Sequence, residues 1–366
     1  MSIEIQSDIR VVVSIDFGTT FSGYAYAHKE NPKNITVQSE WETTGASFKT
    51  PTVIKDYLKK LGDHIKESLE RHWRNVDFYK HVLIVLTVPA EFDDKAIETF
   101  RECAINAGLL KDKYNTNNLK FTTEPEAAAI CCLNPTTREE HHLTTGDSFM
   151  IVDCGGGTVD LTTRELLEDE RLSEITERSG DYCGSSFIDQ AFLEIKEEFG
   201  EIVPNISVPP QPITSVVKGG VLYGLKEKTV KDRILKRTYG TEIVRRWKQP
   251  DPLSERLPNG LTVAFERLAQ RGARLPRDNK FTKKFKPLSL LQQKINFDLY
   301  ATEGSDAKFC EDPGVSKLHN WEIELPENEN LEDTTILFTL SFGVGIEATA
   351  ENQKTGKKYQ CEIKYE

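Results

Sequence analysis

Two stretches of the sequence end an apolar run in an aspartate and then turn on glycine and hydroxyl residues. The first is Val11-Val12-Val13-Ser14-Ile15-Asp16-Phe17-Gly18-Thr19-Thr20, and the second is Met150-Ile151-Val152-Asp153-Cys154-Gly155-Gly156-Gly157-Thr158-Val159-Asp160-Leu161. A glycine-rich turn has no side chains to hold a ligand away, so its N–H groups can close around phosphate oxygens. A tight hairpin turn is the plainer reading of either stretch alone. Their repetition points to duplicated lobes facing one nucleotide. A further carboxylate, Glu124, stands in Phe121-Thr122-Thr123-Glu124-Pro125-Glu126-Ala127, where a strand runs into a helix with proline in its first turn. That junction suits a side chain facing a ligand cleft, and equally an acid complementing the helix dipole.

The elements that must position these residues follow from apolar spacing. After the first hairpin, Ile35 to Val37 reads as a third strand and Phe48 to Val53 as an extended piece. From Ile54 to Asn75, apolar residues recur every three or four positions, which predicts an amphipathic helix with its lysines on the solvated face. Val82 to Pro89 is a continuous apolar strand of the kind buried on both faces of a mostly parallel sheet. Asp93 and Asp94 start a helix that reaches Ala107, with Gly108 near its end. Beyond the second hairpin, Ser179 to Ser186 reads as another glycine-bearing turn and Phe187 to Phe199 as helical. Pro204 to Pro212 is proline-rich and extended. Ile213 to Leu225 reads as a helix whose Gly219, Gly220 and Gly224 allow close backbone packing.

The character changes near residue 238. Strict alternation appears in Ile295-Phe297-Leu299, Trp321-Ile323-Leu325, Ile336-Phe338-Leu340-Phe342 and Tyr359-Cys361-Ile363-Tyr365, separated by turn signals such as Pro258-Asn259-Gly260 and Lys354-Thr355-Gly356. One apolar and one polar face per strand predicts an antiparallel sandwich. A basic stretch, Lys226 to Arg237, connects it to the preceding part.

Composition narrows the partners. A net charge of −11 argues against nucleic acid or an anionic membrane as the main partner. No apolar run approaches ~20 residues, so no membrane-spanning segment is expected. Met1 to Asp8 lacks the basic start and apolar core of a secretory signal. The cysteines number seven, without a C-x-x-C pair, and reduced thiols in a cytoplasmic protein are the expectation.

Taken together, Asp16 to Ser22, Leu86 to Phe92, Glu124 to Ala129, Asp153 to Asp160 and Ser215 to Gly224 resemble the ATPase domain of the 70-kDa heat-shock chaperones, within the actin superfamily. The pattern also resembles the divergent branch called heat shock 70 kDa protein 12A/12B. The resemblance implies an α/β fold of actin-like (ribonuclease-H-like) ATPase lobes over 9–225, abridged, with a first lobe at about 9–135 and a second at 146–225. A connector at 226–237 and an all-β sandwich at 238–366, similar to a peptide-binding β-subdomain, complete it. It also implies ATP/ADP and Mg²⁺ as ligands. Gly18, Thr19, Thr20, Gly155, Gly156, Gly157 and Thr158 would cradle phosphates, and Asp16 and Asp153 would hold Mg²⁺ through its waters. Glu124 and Asp160 would orient or deprotonate the attacking water. A stress-related chaperone role follows from the same resemblance, with extended polypeptides or other proteins as partners of the sandwich.

The sequence departs from that family in two places. Asp16 and Pro89 lie 73 positions apart and Asp153 and Gly219 lie 66 apart, both short for complete lobes. The first gap removes the segment holding the family's water-positioning lysine, and the second the segments that meet adenosine. A non-catalytic remnant or interaction module is therefore the alternative to an ATPase. A sugar kinase of the same superfamily fits less well, having no need of the C-terminal strands.

Overall fold

A computed structural model describes residues 8–366 except 19–20, 43–49, 112–117, 134, 182–197, 204, 210, 227–228, 278, 287–293, 325–334 and 360–366. Its contacts divide the chain into two compact units, Met1–Lys231 and Asp232–Glu366.

In the first unit, β1 (Val11–Phe17), β2 (Phe21–His28), β3 (Thr36–Glu42), β4 (Val82–Val88) and β5 (Leu119–Thr123) form a sheet of order β3-β2-β1-β4-β5. β1 runs antiparallel to β2 and parallel to β4, which runs parallel to β5. Every residue of β4 is buried, as its unbroken apolar run requires. Helix α1 (Pro51–His72) buries Leu58, Leu61, Ile65 and Leu69. It begins at Pro51, so residues 51–53 are helical rather than extended. Proline fixes φ and needs no partner for an N–H in the first turn. The Tyr24 hydroxyl lies 2.9 Å from His64 Nδ1 and 2.8 Å from Ser68 Oγ, tying β2 to α1. After the short α2 (Phe78–His81) and β4 comes α3 (Asp94–Asn106). The Asp93 carboxylate accepts from the Ala96 N–H at 2.8 Å to cap it, and Gly108 takes φ +77° just past its end.

The second sheet holds β6 (Ser148–Cys154), β7 (Val159–Leu166), β8 (Leu172–Glu174) and β9 (Ser179–Asp181), with β6, β8 and β9 all paired to β7. Residues 179–181, read from sequence as part of a turn, are thus a strand. The remainder of that turn, and most of the helix expected at 187–199, lie outside the described residues. Helices α4 (Glu124–Cys132) and α6 (Ser215–Leu225), which flank the short α5 (Pro135–Glu140) in sequence, join the sheets. One apolar cluster takes Val12 and Val85 from the first sheet, Ala129 and Ile130 from α4, Val217 and Val221 from α6, and Leu166 and Leu172 from the second sheet. Two glycines of α6 make this approach possible. A Cβ on Gly219 would stand 1.7 Å from the Ala127 carbonyl oxygen, and one on Gly220 2.0 Å from Ser14 Oγ.

In the second unit, β11 (Thr238–Arg246), β12 (Leu261–Ala269), β15 (Lys294–Thr302) and β16 (Val315–Glu324) form one antiparallel sheet. β14 (Lys280–Phe285), β17 (Ile336–Phe342), β18 (Ile346–Asn352) and β19 (Lys358–Tyr359) form another. The inward residues of both meet in one cluster that includes Leu299, Trp321, Leu340 and Ile346. At its centre the rings of Phe297 and Phe338 stack with centroids 3.9 Å apart. The basic stretch read as a connector divides between the units. Val230 bridges Leu172 in the first, while β10 (Asp232–Ile234) pairs with β13 (Arg274–Pro276) in the second. No helix among the described residues is long and apolar enough to cross a membrane.

Candidate functional site

Asp16 sits near the end of β1, level with Thr87 on β4. The Thr87 hydroxyl donates to Asp16 Oδ1 at 2.9 Å, with the Ile15 carbonyl oxygen 3.3 Å from the same hydroxyl. On the second sheet Asp153 and Asp160 stand directly opposite one another across the β6–β7 ladder, so their side chains share a face. The turn between them closes through a 2.9 Å bond from the Gly155 N–H to the Thr158 carbonyl, with Gly156 and Gly157 at its tip. Glu124 is the first residue of α4, delivered by β5 as the sequence suggested.

Electrostatics unite these residues from four elements, β1, β6, β7 and α4. The Glu124 carboxyl is pushed well above the usual range by burial, and then by the charges of Asp16, Asp153 and Asp160. Burial raises Asp153 to about 7, helped by Asp16 and Asp160, and raises Asp16 to about 6, opposed by the Thr87 hydrogen bond. Four carboxylates from both hairpins and α4 are therefore within electrostatic reach of one another. Their mutual repulsion is the condition a cation relieves, and an all-oxygen donor set suits a hard ion such as Mg²⁺. Among the described residues no three acidic, histidine or cysteine side chains are close enough to clasp a bare metal ion.

Asp160 is 1% exposed, and its Oδ1 already accepts from the Ala90 N–H at 2.9 Å, in the turn after β4. Strand β9 pairs with β7 so that Gly180 stands directly opposite it. A Cβ on Gly180 would lie 2.7 Å from Asp160 Oδ1 and 2.9 Å from Glu91 Oε1, so only glycine fits there. Gly18 is described, and its carbonyl oxygen lies 3.5 Å from Ser22 Oγ. Thr19 and Thr20 fall outside the described residues. Sequence reading missed Thr87 and Ala90 as partners of the aspartates. Both lie in Leu86-Thr87-Val88-Pro89-Ala90, and the only available signal was a hydroxyl inside an otherwise apolar strand.

No family model matches the chain. It is 24% identical over 309 residues to heat shock 70 kDa protein 12B of Homo sapiens, covering 52% of this chain and 45% of that protein. To heat shock 70 kDa protein 12A of Homo sapiens it is 26% identical over 316 residues, covering 54% of this chain and 46% of that protein. It is 34% identical over 120 residues to a chaperone protein HscA homolog of Acinetobacter baumannii (strain AYE), covering 32% of this chain and 16% of that protein. The resemblance to the 70-kDa heat-shock proteins is thus present at low identity, and the chain spans about half the length of the curated 12A and 12B relatives. The first alignment is 309 residues long yet takes in 52% of these 366 residues, so more than a third of its positions hold no residue of this chain. Among solved structures, ethanolamine utilization protein EutJ from Carboxydothermus hydrogenoformans matches 58% of this chain and 90% of its own, at 15% identity and a TM-score of 0.39.

Proposed function

We propose that this chain is a nucleotide-binding protein of the 70-kDa heat-shock type, with an actin-like ATPase domain that takes Mg·ATP or Mg·ADP between its two glycine hairpins. The observation that carries this reading is the convergence of Asp16, Glu124, Asp153 and Asp160 from both hairpins and α4, with Glu124 feeling the other three charges. The backbone of Gly18 to Thr20 and of Gly155 to Thr158 would receive the phosphates, and Asp16 and Asp153 would hold magnesium through water. Bound Mg²⁺ would supply the positive charge that offsets both the phosphates and the crowded carboxylates. Glu124, whose carboxyl is pushed upward by burial and then by the neighbouring charges, would orient water for attack on the terminal phosphate once the bound cation offsets those charges. Asp160, anchored by the Ala90 N–H, would stiffen the β7 side of the cleft or assist at the same water.

A second reading, a non-catalytic member that binds nucleotide weakly or not at all, is favoured by the large share of alignment positions this chain leaves empty. In both readings the two-sheet C-terminal unit is a surface for extended polypeptide or another protein. A cytoplasmic setting accords with the five described cysteines, all of which are free.

Calorimetric titration of the protein with Mg·ATP tests the first reading. Wild type is expected to bind, and Asp153→Asn to lose about tenfold or more in affinity. Equal binding by both would overturn the site. Binding without phosphate release above a Glu124→Gln background would favour the second reading.

A further inference from the structure

We propose that Arg164 is a positioning residue: its buried guanidinium fixes helix α4, and with it Glu124, against the strand that carries Asp160. β7 turns Asp160, Thr162, Arg164 and Leu166 to its buried face, alternating with partly exposed neighbours. Arg164, Glu126 and Glu174 all have side chains that are 0% exposed. Arg164 Nη2 lies 3.2 Å from Glu174 Oε1 on β8 and 3.5 Å from Glu126 Oε2 on α4, and Nε donates to Thr162 Oγ1 at 3.0 Å. The other oxygen of Glu126 accepts from the Thr122 hydroxyl of β5 at 2.7 Å. A continuous polar chain thus runs from the last strand of the first sheet, through α4, to two strands of the second.

Stability gives no reason for this chain to be ionic. Burying one cation with two carboxylates costs desolvation that pairing barely returns, and an apolar trio of similar size is commonly as stable. Leu166, the next residue on the same face, joins the apolar cluster, so the face accepts hydrocarbon at that depth. What the guanidinium supplies is direction, because its planar fork meets carboxylates only in set orientations. Two members of the chain flank Glu124 closely in sequence. Glu126 is two residues past Glu124, and Thr122 two before it. Arg164 follows Asp160 by four residues, ~13 Å along the strand. A shift of α4 relative to β7 would break this chain before it disturbed the apolar packing.

Only the nucleotide arm of the test rests on the function proposed above. Arg164→Met alone leaves two buried carboxylates facing each other, so the informative variant is the uncharged triple Arg164→Met/Glu126→Gln/Glu174→Gln, with Arg164→Lys beside it. Native-state amide exchange reads α4 directly at Ala128, Ala129 and Ile130, with the amides of β4 as reference. In the triple variant, exchange in α4 is expected to rise about tenfold while β4 is unchanged, and Mg·ADP affinity to fall about tenfold. Arg164→Lys, which keeps the charge and loses the fork, should show the same pattern more weakly. Wild-type exchange and wild-type affinity in a folded triple variant would overturn the proposal. Should the triple variant not fold, Arg164→Lys decides it by the same two readings. Should wild type itself fail to bind Mg·ADP, the proposed function falls, and the exchange arm alone decides the role of Arg164.

Discussion

Val11–Phe17 and Ser148–Cys154 carry the same pattern, an apolar run ending in an aspartate before a glycine turn, yet they meet different surroundings. β1 has β2 on one side and β4 on the other, and its first five residues are buried. Among the described residues β6 pairs with β7 alone, and its alternate residues reach solvent, with Met150 57% and Val152 45% exposed. The aspartates differ too. Asp16 has a hydroxyl partner in Thr87, whereas Asp153 faces another carboxylate across the ladder. A motif therefore specifies the turn and the acid, while the neighbouring strands decide how firmly that acid is held. At Asp153 the charges of Asp16 and Asp160 add to the upward push of burial, whereas at Asp16 the Thr87 hydrogen bond opposes it.

That asymmetry can be broken by experiment. The largest effect expected is on stability: Ile15→Ala in β1 should cost about 4 kcal/mol in urea unfolding, and Val152→Ala in β6 no more than about 0.5 kcal/mol. A comparable loss at Val152 would mean that its side of the sheet is covered in solution, and the contrast between the hairpins would disappear.

The acid cluster gives the next contrast. Asp16 and Asp153 start from 3.8 in the unfolded chain and rise to about 6 and about 7 in the folded one. The folded state keeps these protons to higher pH, so the groups cost nothing below about pH 4 and their full penalty above about pH 7. In chelator and without nucleotide, Asp153→Asn should therefore melt about 3 °C or more above wild type near pH 8. Near pH 4, where the wild-type carboxyl is itself protonated, the difference should vanish. A gain independent of pH would remove the electrostatic explanation.

The smallest expected effect sits at the better-held acid. Thr87→Val should cost about 1 kcal/mol, more near pH 8 than near pH 5, because the lost hydrogen bond favours the ionised form of Asp16. Nuclear magnetic resonance titration of the Asp16 carboxyl should show its pKa moving further up, and a downward shift would contradict the geometry.

Local pattern made much of this legible. The unbroken run from Val82 predicted a doubly covered strand, and the glycines of 213–225 predicted a helix in backbone contact. The proline after Glu124 marked the strand-to-helix junction at which that carboxylate stands. What the sequence hid was tertiary. Thr87 reaches Asp16 across 71 positions and Ala90 reaches Asp160 across 70, distances over which spacing carries no signal. Arg164 drew no notice in the sequence, and it is buried where Glu126 of α4 meets it. Gly180 suggested a turn, but its lack of a side chain leaves room for the Asp160 carboxylate opposite it in the β7–β9 pairing.

The two pairings, Asp153 with Asp160 and Asp16 with Thr87, also imply an order in time. Asp153 and Asp160 are joined by a short local loop, of the kind that closes in microseconds. Asp16 meets Thr87 only when β1 and β4 pair in parallel, after a long segment including α1 has been brought round. Closing so long a loop is entropically costly and slows folding. A refolding chain would therefore build the second aspartate pair early and complete the four-carboxylate cluster late, so that added Mg²⁺ or nucleotide would act on the last step of assembly and leave the first untouched.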